Sequence, residues 1–360
     1  MPVSPASQLK LIERLCNACA VSGDEGEVRQ IVLEAIKGFV DEVKVDALGN
    51  VLATKRAAAF KAGAKRARKL PRVMLSAHMD EVGFMLVGDD SGGLFRFETV
   101  GGMDLRQLPG KAVLVGRDHI PGVIGARPIH LTTAEERRRT IPLDALRIDV
   151  GPGSPKVKLG DRVAYATRFQ RSGPALISKA LDNRLGVAVL IELLRNPPTN
   201  VDLLAGFTVQ EEIGLAGARV AGYALAPDLA IAVDSTPAND LPRWDSLESE
   251  YYNTRLGQGP AIYIADGATF SDPRLVRWLA QAGDAAGIPY QFRQPGGGGT
   301  DAGGIHRSRA GVPSVSVSVP HRYSHTAASI ALLEDWKNTL ALLKAALERL
   351  SASLLAKERS

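Results

Sequence analysis

The 360-residue chain is predicted to be an α/β protein, with a mixed, largely parallel sheet flanked by helices and a small barrel-like β domain inserted into it. Three observations lead there. Apolar runs of strand length alternate with helix-period segments both early in the chain and from residue 173 onward, and such alternation builds a parallel sheet between helices. From about 84 to 172 the texture changes to short alternating segments separated by Gly, Pro and Asp. Five apolar or small-residue segments also end in side chains able to ligate a metal. The expected division is therefore 1–83 with 173–360 as the α/β domain and 84–172 as the inserted β domain.

The elements follow in order. The first 40 residues read as two helices broken at Ser22-Gly23, the second being GEVRQIVLEAIKGFV with apolar residues at helical spacing. VDEVKVDALGNVLATK reads as strand, Gly-Asn turn, strand. RVMLSA is a continuous apolar run of the kind expected in a buried strand, and it leads straight into His78. FMLVG, LFRFETVGG, KAVLVG, GVIGA, LRIDVG and DRVAYAT supply the β domain, with HLTTAEERRRTIP as a polar loop or short helix. VGDDSGG lacks the ligand spacing of a calcium loop and reads as a turn. After 173 come LGVAVLIELLRN (helix), LLAGFTVQ (strand), GARVAGYAL (helix), LAIAVD (strand), PRLVRWLAQAGDAAG (helix) and PSVSVSV (strand). LLEDWKNTLALLKAALERLSASLLAK reads as one long amphipathic helix.

Composition sets the bounds. The chain is 45% hydrophobic and 23% charged, an ordinary globular balance. Much of its net charge of +5 sits in 55–72, where Lys and Arg are interleaved with Ala and Gly and not with aromatics. That stretch reads as a solvated loop, so neither a nucleic-acid nor a membrane partner is expected. No apolar stretch reaches the roughly 20 residues that cross a bilayer, and the N-terminus lacks a signal-peptide pattern. The two cysteines, Cys16 and Cys19, are spaced as C-x-x-C on a helical segment. With no second pair they read as small core residues, a redox pair being the other possibility. A reducing, cytoplasmic location is expected.

The chemistry lies in the segment ends. VMLSAHMDEVG delivers His78 and Asp80, ISKALDNRLG delivers Asp182, LLAGFTVQEEIG delivers Glu211 and Glu212, LAIAVDST delivers Asp234, and PSVSVSVPHRYSHT delivers His321 and His325. Open α/β sheets place their sites at the carboxyl ends of strands, so these groups should share one edge. Carboxylates that close would repel and resist burial unless cations compensated them. Histidines, acidic ligands and one spare glutamate form the donor set of a two-metal hydrolase. Zinc suits these ligands, and cobalt or manganese also fit.

AHMDEVG, KALDNR, QEEIGLAGA, VDST, GGGGTDAG and PHRYSH occur in this order, with VGGMD, GVIGARPIH and IDVG inside the inserted domain. In these motifs the chain resembles the M42 family of metal-dependent aminopeptidases, the TET or glutamyl aminopeptidase-like peptidases, over about residues 8 to 345. The resemblance implies two divalent metal ions per subunit. His78 and Asp234 would hold one, Glu212 and His325 the other, and Asp182 would bridge them. Asp80 would orient His78, and Glu211 would be the general base. It further implies release of N-terminal residues from short peptides by a homo-oligomer. Subunits would pair through the inserted domain, and dimers would associate into a tetrahedral dodecamer. Small β modules have edge strands that need covering, which agrees with a role in assembly.

The resemblance has departures. Asn183 stands where the family usually shows a second acidic residue, and His321 where cysteine is more frequent. Alignment on R-Y-x-H favours His325 over His321 as the ligand. SLESEYYNTRLGQGPAI departs from the family wording before its G-x-G-P element. The loop holding Gly298, Gly299, Thr300 and Asp301 lacks the lysine of a phosphate-binding loop, and by resemblance lies near the substrate. A related two-metal amidohydrolase, either a deacylase or a carboxypeptidase, is the alternative reading, and a catalytically silent scaffold is a third.

Overall fold

A computed structural model describes residues 5–57, 70–153, 156–241, 254–351 and 353–356. Most of the basic stretch 55–72, and the start of the departing segment before the G-x-G-P element, lie outside them. Helices α1 (Pro5–Asn17) and α2 (Gly26–Ile36) open the chain and bury Ile12, Leu15, Val28 and Val32. Strands β1 (Glu42–Val45) and β2 (Val51–Lys55) form an antiparallel hairpin. Its turn is tied by Asp46, whose carboxylate accepts the N–H groups of Leu48, Gly49 and Asn50 at 3.0 Å each. Strand β3 (Arg72–His78) leads to the inserted domain: β4 (Gly83–Asp89), β5 (Leu94–Val100), β6 (Ala112–Val115), β7 (Ile120–Gly125), β8 (Arg147–Asp149) and β9 (Arg162–Tyr165). The chain then returns through β10 (Gln170–Ser172), β11 (Ala175–Ser178), α3 (Leu181–Arg195), β12 (Asp202–Thr208), α4 (Ala216–Leu225) and β13 (Leu229–Pro237). It ends with β14 (Ala261–Tyr263), α5 (Pro273–Ala286), β15 (Gln291–Arg293), α6 (Asp301–Ile305), β16 (Ser314–Arg322), β17 (Ser329–Leu332) and α7 (Leu333–Glu348).

Among the described residues the large sheet runs β1-β2-β12-β3-β13-β16-β17-β11-β10, with β14 on β16 and β15 on β14. Its centre, β12-β3-β13-β16, is parallel. These strands are covered on both faces, which explains their nearly unbroken apolar runs. Helix α3 is buried almost along its whole length. Gly186 permits its close approach, since a Cβ there would lie 2.6 Å from the Val233 carbonyl oxygen of β13. The mixed sheet between helices agrees with the expected fold class.

The inserted strands close into a barrel, β4-β5-β8-β7-β6-β9. Phe84 sits at its centre, edge-on to Phe97 (ring centroids 5.2 Å apart) and to Tyr165 (5.4 Å). Two expectations are corrected here. The barrel ends at Tyr165, and β10 pairs in the large sheet, so the interval 84–172 overruns it. Closure also removes open edges, so edge strands give no reason for the barrel to pair. What its surface does offer is apolar area, with Ile129 67% and Leu131 64% exposed.

The last helix stops at Glu348, short of the length its pattern suggests. The Asn200 side chain donates to the Leu347 carbonyl at 3.0 Å, which satisfies one of the carbonyls a helix end leaves open.

Candidate active site

Parallel strands bring their carboxyl ends to one edge, and the side chains singled out above gather there. His78 is the last residue of β3, in register with Thr208, the last of β12. Glu211 and Glu212 follow β12, Asp234 lies within β13, and His325 follows β16. Asp182 enters from the first turn of α3, after Ala180 in the left-handed region at φ 52°. Gln210, Leu215, Tyr323 and His325 are also left-handed without being glycine (φ 56° to 64°). Such backbone costs roughly 1–3 kcal/mol per residue and collects where side-chain placement matters more than stability.

The donors fall into two groups joined by one carboxylate. His78 Nε2 lies 3.2 Å from Asp182 Oδ1 and 3.4 Å from Asp234 Oδ1. His325 Nε2 lies 3.4 Å from Glu212 Oε2 and 3.7 Å from Asp182 Oδ2. Tetrahedral zinc with bonds of about 2.0–2.2 Å places its ligand atoms about 3.3–3.6 Å apart, close to these histidine-to-carboxylate spacings. One donor atom each from His78, Asp182 and Glu212 also lies within 4.8 Å of the others. Asp182 turns one oxygen to each group. The peptide bond between Asp182 and Asn183 is cis. Asn183, fully buried, donates to the Val233 carbonyl at 2.8 Å and accepts from the Gly186 N–H at 3.0 Å. A neutral amide therefore serves at this position in anchoring α3.

Asp80 is fully buried. Its Oδ1 lies 3.5 Å from His78 Nδ1 and accepts the Glu211 N–H at 3.1 Å. Its Oδ2 accepts from Ser22 Oγ at 2.6 Å and from the Glu212 N–H at 3.2 Å. One carboxylate thus holds both a histidine and the backbone of the glutamate pair. Burial opposes its ionisation, yet His78 and these hydrogen bonds keep its pKa below the usual value.

The ionisable groups of the site are strongly perturbed. Burial, with Asp234, Glu212 and Asp301 nearby, pushes the Glu211 carboxyl well up, despite His78. Burial and the neighbouring carboxylates push Glu212 up to about 8, despite His325. His78 is buried, which opposes its charge, yet the surrounding carboxylates raise its pKa well above the ordinary value. So many acids in a small volume must bind protons or cations, and two oxygen-rich histidine groups suit divalent ions.

His321 is wholly buried, and burial lowers its pKa to about 4. Its Nε2 pairs with Ser324 Oγ, while His325 reaches the cleft wall. That cleft, about 570 Å³, is lined by the ligand candidates, Glu211, Ser235, Tyr263, Arg293 and the glycines at 297–299. Of the loop expected near the substrate, Gly298 and Gly299 line the cleft, whereas Thr300 and Asp301 lie behind it, each 1% exposed. Thr300 caps α6, and Asp301 accepts from Thr208 Oγ1 at 2.6 Å. Their fit is to the fold, which corrects the substrate-contact expectation for both.

Several contributors were missed from the sequence. Ser22 holds Asp80. The Gly102 carbonyl, from the barrel segment, faces His325 Nδ1 at 2.7 Å. Thus the inserted domain, expected to serve assembly, also supplies an orienting contact. Behind the site Glu81 pairs with Lys179 at 2.8 Å and Arg184 at 2.9 Å, all buried. Arg184 also donates to the Met79 and Asp80 carbonyls, tying the β3 end to α3. All three lie inside AHMDEVG and KALDNR, and that was the available signal. The thiols are poor nucleophiles: burial pushes Cys16 up to about 12 and Cys19 up to about 11, which speaks against a redox pair.

Comparison with known proteins identifies the family. The sequence model of M42 glutamyl aminopeptidase matches residues 58–342. The lysyl aminopeptidase of Pyrococcus furiosus is 32% identical over 354 residues, covering 95% of this chain and 97% of its own. The glutamyl aminopeptidase of Lactococcus lactis is 31% identical over 361 residues, covering 96% and 97%. Among solved structures, the Pyrococcus horikoshii TET1 peptidase, described as assembling into a tetrahedron or a large octahedral shell, superposes with a TM-score of 0.82. It is 30% identical, covering 96% of this chain and all of that one.

Proposed function

The chain belongs to the M42 glutamyl aminopeptidase family, a family of metal-dependent peptide-bond hydrolases acting at N-termini, and from that premise we propose which of its side chains do the work and in what assembly. His78 and Asp234 would hold one divalent ion and Glu212 and His325 a second, with Asp182 facing both. The observation that carries this reading is the split of Asp182, with Oδ1 toward His78 and Oδ2 toward His325. Zinc fits the donors best, and cobalt or manganese are alternatives. When bound, such ions polarise the scissile carbonyl and make water more acidic. Glu211 takes the proton as water adds to the carbonyl, then delivers it to the departing amine. Asp80 holds His78 and the Glu211 backbone in place.

The acidic wall of the cleft favours a positively charged group close to the scissile bond. The substrate is therefore a short peptide with a free α-amine. An N-acetylated peptide should release no N-terminal residue, while its unblocked counterpart is hydrolysed. Cleavage of the blocked peptide at internal bonds, at its C-terminus or at the acyl group would turn the reading toward the amidohydrolase alternative. Chromatography with mass detection separates these products.

His325 is the last ligand because it reaches the cleft, whereas His321 is enclosed. His321→Ala should retain two ions per subunit by elemental analysis, and His325→Ala should lose one. The reverse pattern would overturn the choice.

Subunits pair through the barrel, and dimers assemble further into a dodecamer. Exposed Ile129 and Leu131 support the pairing, since apolar groups exposed together mark contact surfaces. Among the described residues no helix is long and apolar enough to cross a bilayer. The two free thiols agree with a cytoplasmic location. Light scattering should find a particle of twelve subunits. A stable dimer would remove the dodecamer alone, and a monomer at micromolar concentration would remove both levels.

A further inference from the structure

Where the first two helices meet the barrel, a second group of metal-binding atoms comes together. Cys19 follows α1, Glu27 lies in the first turn of α2, and His119 lies in the turn between β6 and β7. One donor atom from each (sulfur, carboxylate oxygen, imidazole nitrogen) lies within 4.8 Å of the others. All three side chains are half-buried. The carboxylate is already fixed between its neighbours. Glu27 Oε2 accepts the Cys19 N–H at 2.9 Å, while Oε1 faces His119 Nε2. Cys19 and Glu27 wall a cleft of about 620 Å³ whose far side is barrel, including Leu114, Gly116 and Arg117. The Arg117 charge is paired with Asp24 at 2.9 Å.

Thiolate, imidazole and carboxylate are the ligand types of zinc, whose tetrahedral ligand atoms lie about 3.3–3.8 Å apart, and the three donor atoms here all lie within 4.8 Å of one another. We propose that Cys19, Glu27 and His119 form a separate site for a zinc-like divalent cation, clamping the N-terminal helices to the barrel, with water from the cleft as the remaining ligand. Cys19 and Glu27 come from one body and His119 from the other, so an ion here ties the two. The same seam matters to the active site. Arg162 of β9 donates to the Ser22 carbonyl at 3.0 Å, Ser22 holds Asp80, and the barrel segment presents Gly102 to His325. Fixing the barrel on these helices therefore fixes two orienting contacts of the peptidase site. The site belongs to the geometry alone and stands whether or not the peptidase assignments above hold.

Cobalt(II) provides a test that needs no substrate. The active-site donors are nitrogen and oxygen only, and the chain has two cysteines, so a thiolate-to-cobalt charge-transfer band in the near ultraviolet reports this site. Titrating the metal-free, fully reduced protein with cobalt alone should show that band and one equivalent per subunit beyond the active-site complement. Cys19→Ser and His119→Ala should each lose that equivalent, Cys19→Ser losing the band outright, while Cys16→Ser keeps both. Absence of the band in the wild-type protein overturns the proposal, and that result does not depend on any variant folding. A band surviving in Cys19→Ser, or an undiminished one in His119→Ala, overturns it equally.

Discussion

Glu211→Gln should abolish peptide hydrolysis while leaving metal content unchanged. The amide has the shape of the carboxylate but cannot accept a proton at neutral pH. Glu211 lines the cleft beside His78 and Asp234, yet neither donor group described above includes it. Its backbone N–H is held by Asp80, so the substituted side chain should keep its place. A positioned general base contributes about 10²–10⁴ in rate, and more when the same group acts in addition and in departure of the amine. The loss should fall on kcat with aminoacyl chromogenic substrates. If the variant loses an ion and excess zinc restores activity, Glu211 is a ligand and the roles of the glutamate pair exchange.

Much of this site could be read before any coordinates, for a physical reason. Strands covered on both faces must be apolar along their length, so the polar residue that ends such a run stands out. His78 after RVMLSA and the Glu211–Glu212 pair after LLAGFTV are such interruptions, and parallel pairing brings them together. What stayed hidden depends on contacts without a side-chain signature. The Gly102 carbonyl that orients His325 is backbone, and any residue type carries one. Closure of the barrel is settled by β9 pairing with both β4 and β6, a long-range event that strand patterns cannot encode one at a time. Thr300 and Asp301 sit in a glycine-rich loop that invites a substrate reading, but their side chains turn inward to Ser316 and Thr208. The end of α7 depends on Asn200, far away in the chain.

Asp182→Ala should cost the protein both ions, a larger loss than any other single ligand would cause. Each remaining ligand serves one donor group, whereas Asp182 faces both, 3.2 Å from His78 and 3.7 Å from His325. In the proposed arrangement its removal would also take away the negative charge between two cations that repel each other across a short gap. Elemental analysis after gel filtration should find well under one ion per subunit, with hydrolysis lost at least as fully as in Glu211→Gln. The fold should survive, because the start of α3 is held by other groups. Asn183 bonds Val233 and Gly186, and Arg184 bonds Glu81 and the Met79 and Asp80 carbonyls just after β3. The far-ultraviolet dichroism of the metal-free variant should therefore match that of the metal-free wild type. Asp182→Asn separates the two sites: one amide oxygen remains to ligate, the nitrogen cannot, and a single ion should stay. Two ions retained in Asp182→Ala, with activity within tenfold of wild type, would show that the carboxylate bridges nothing.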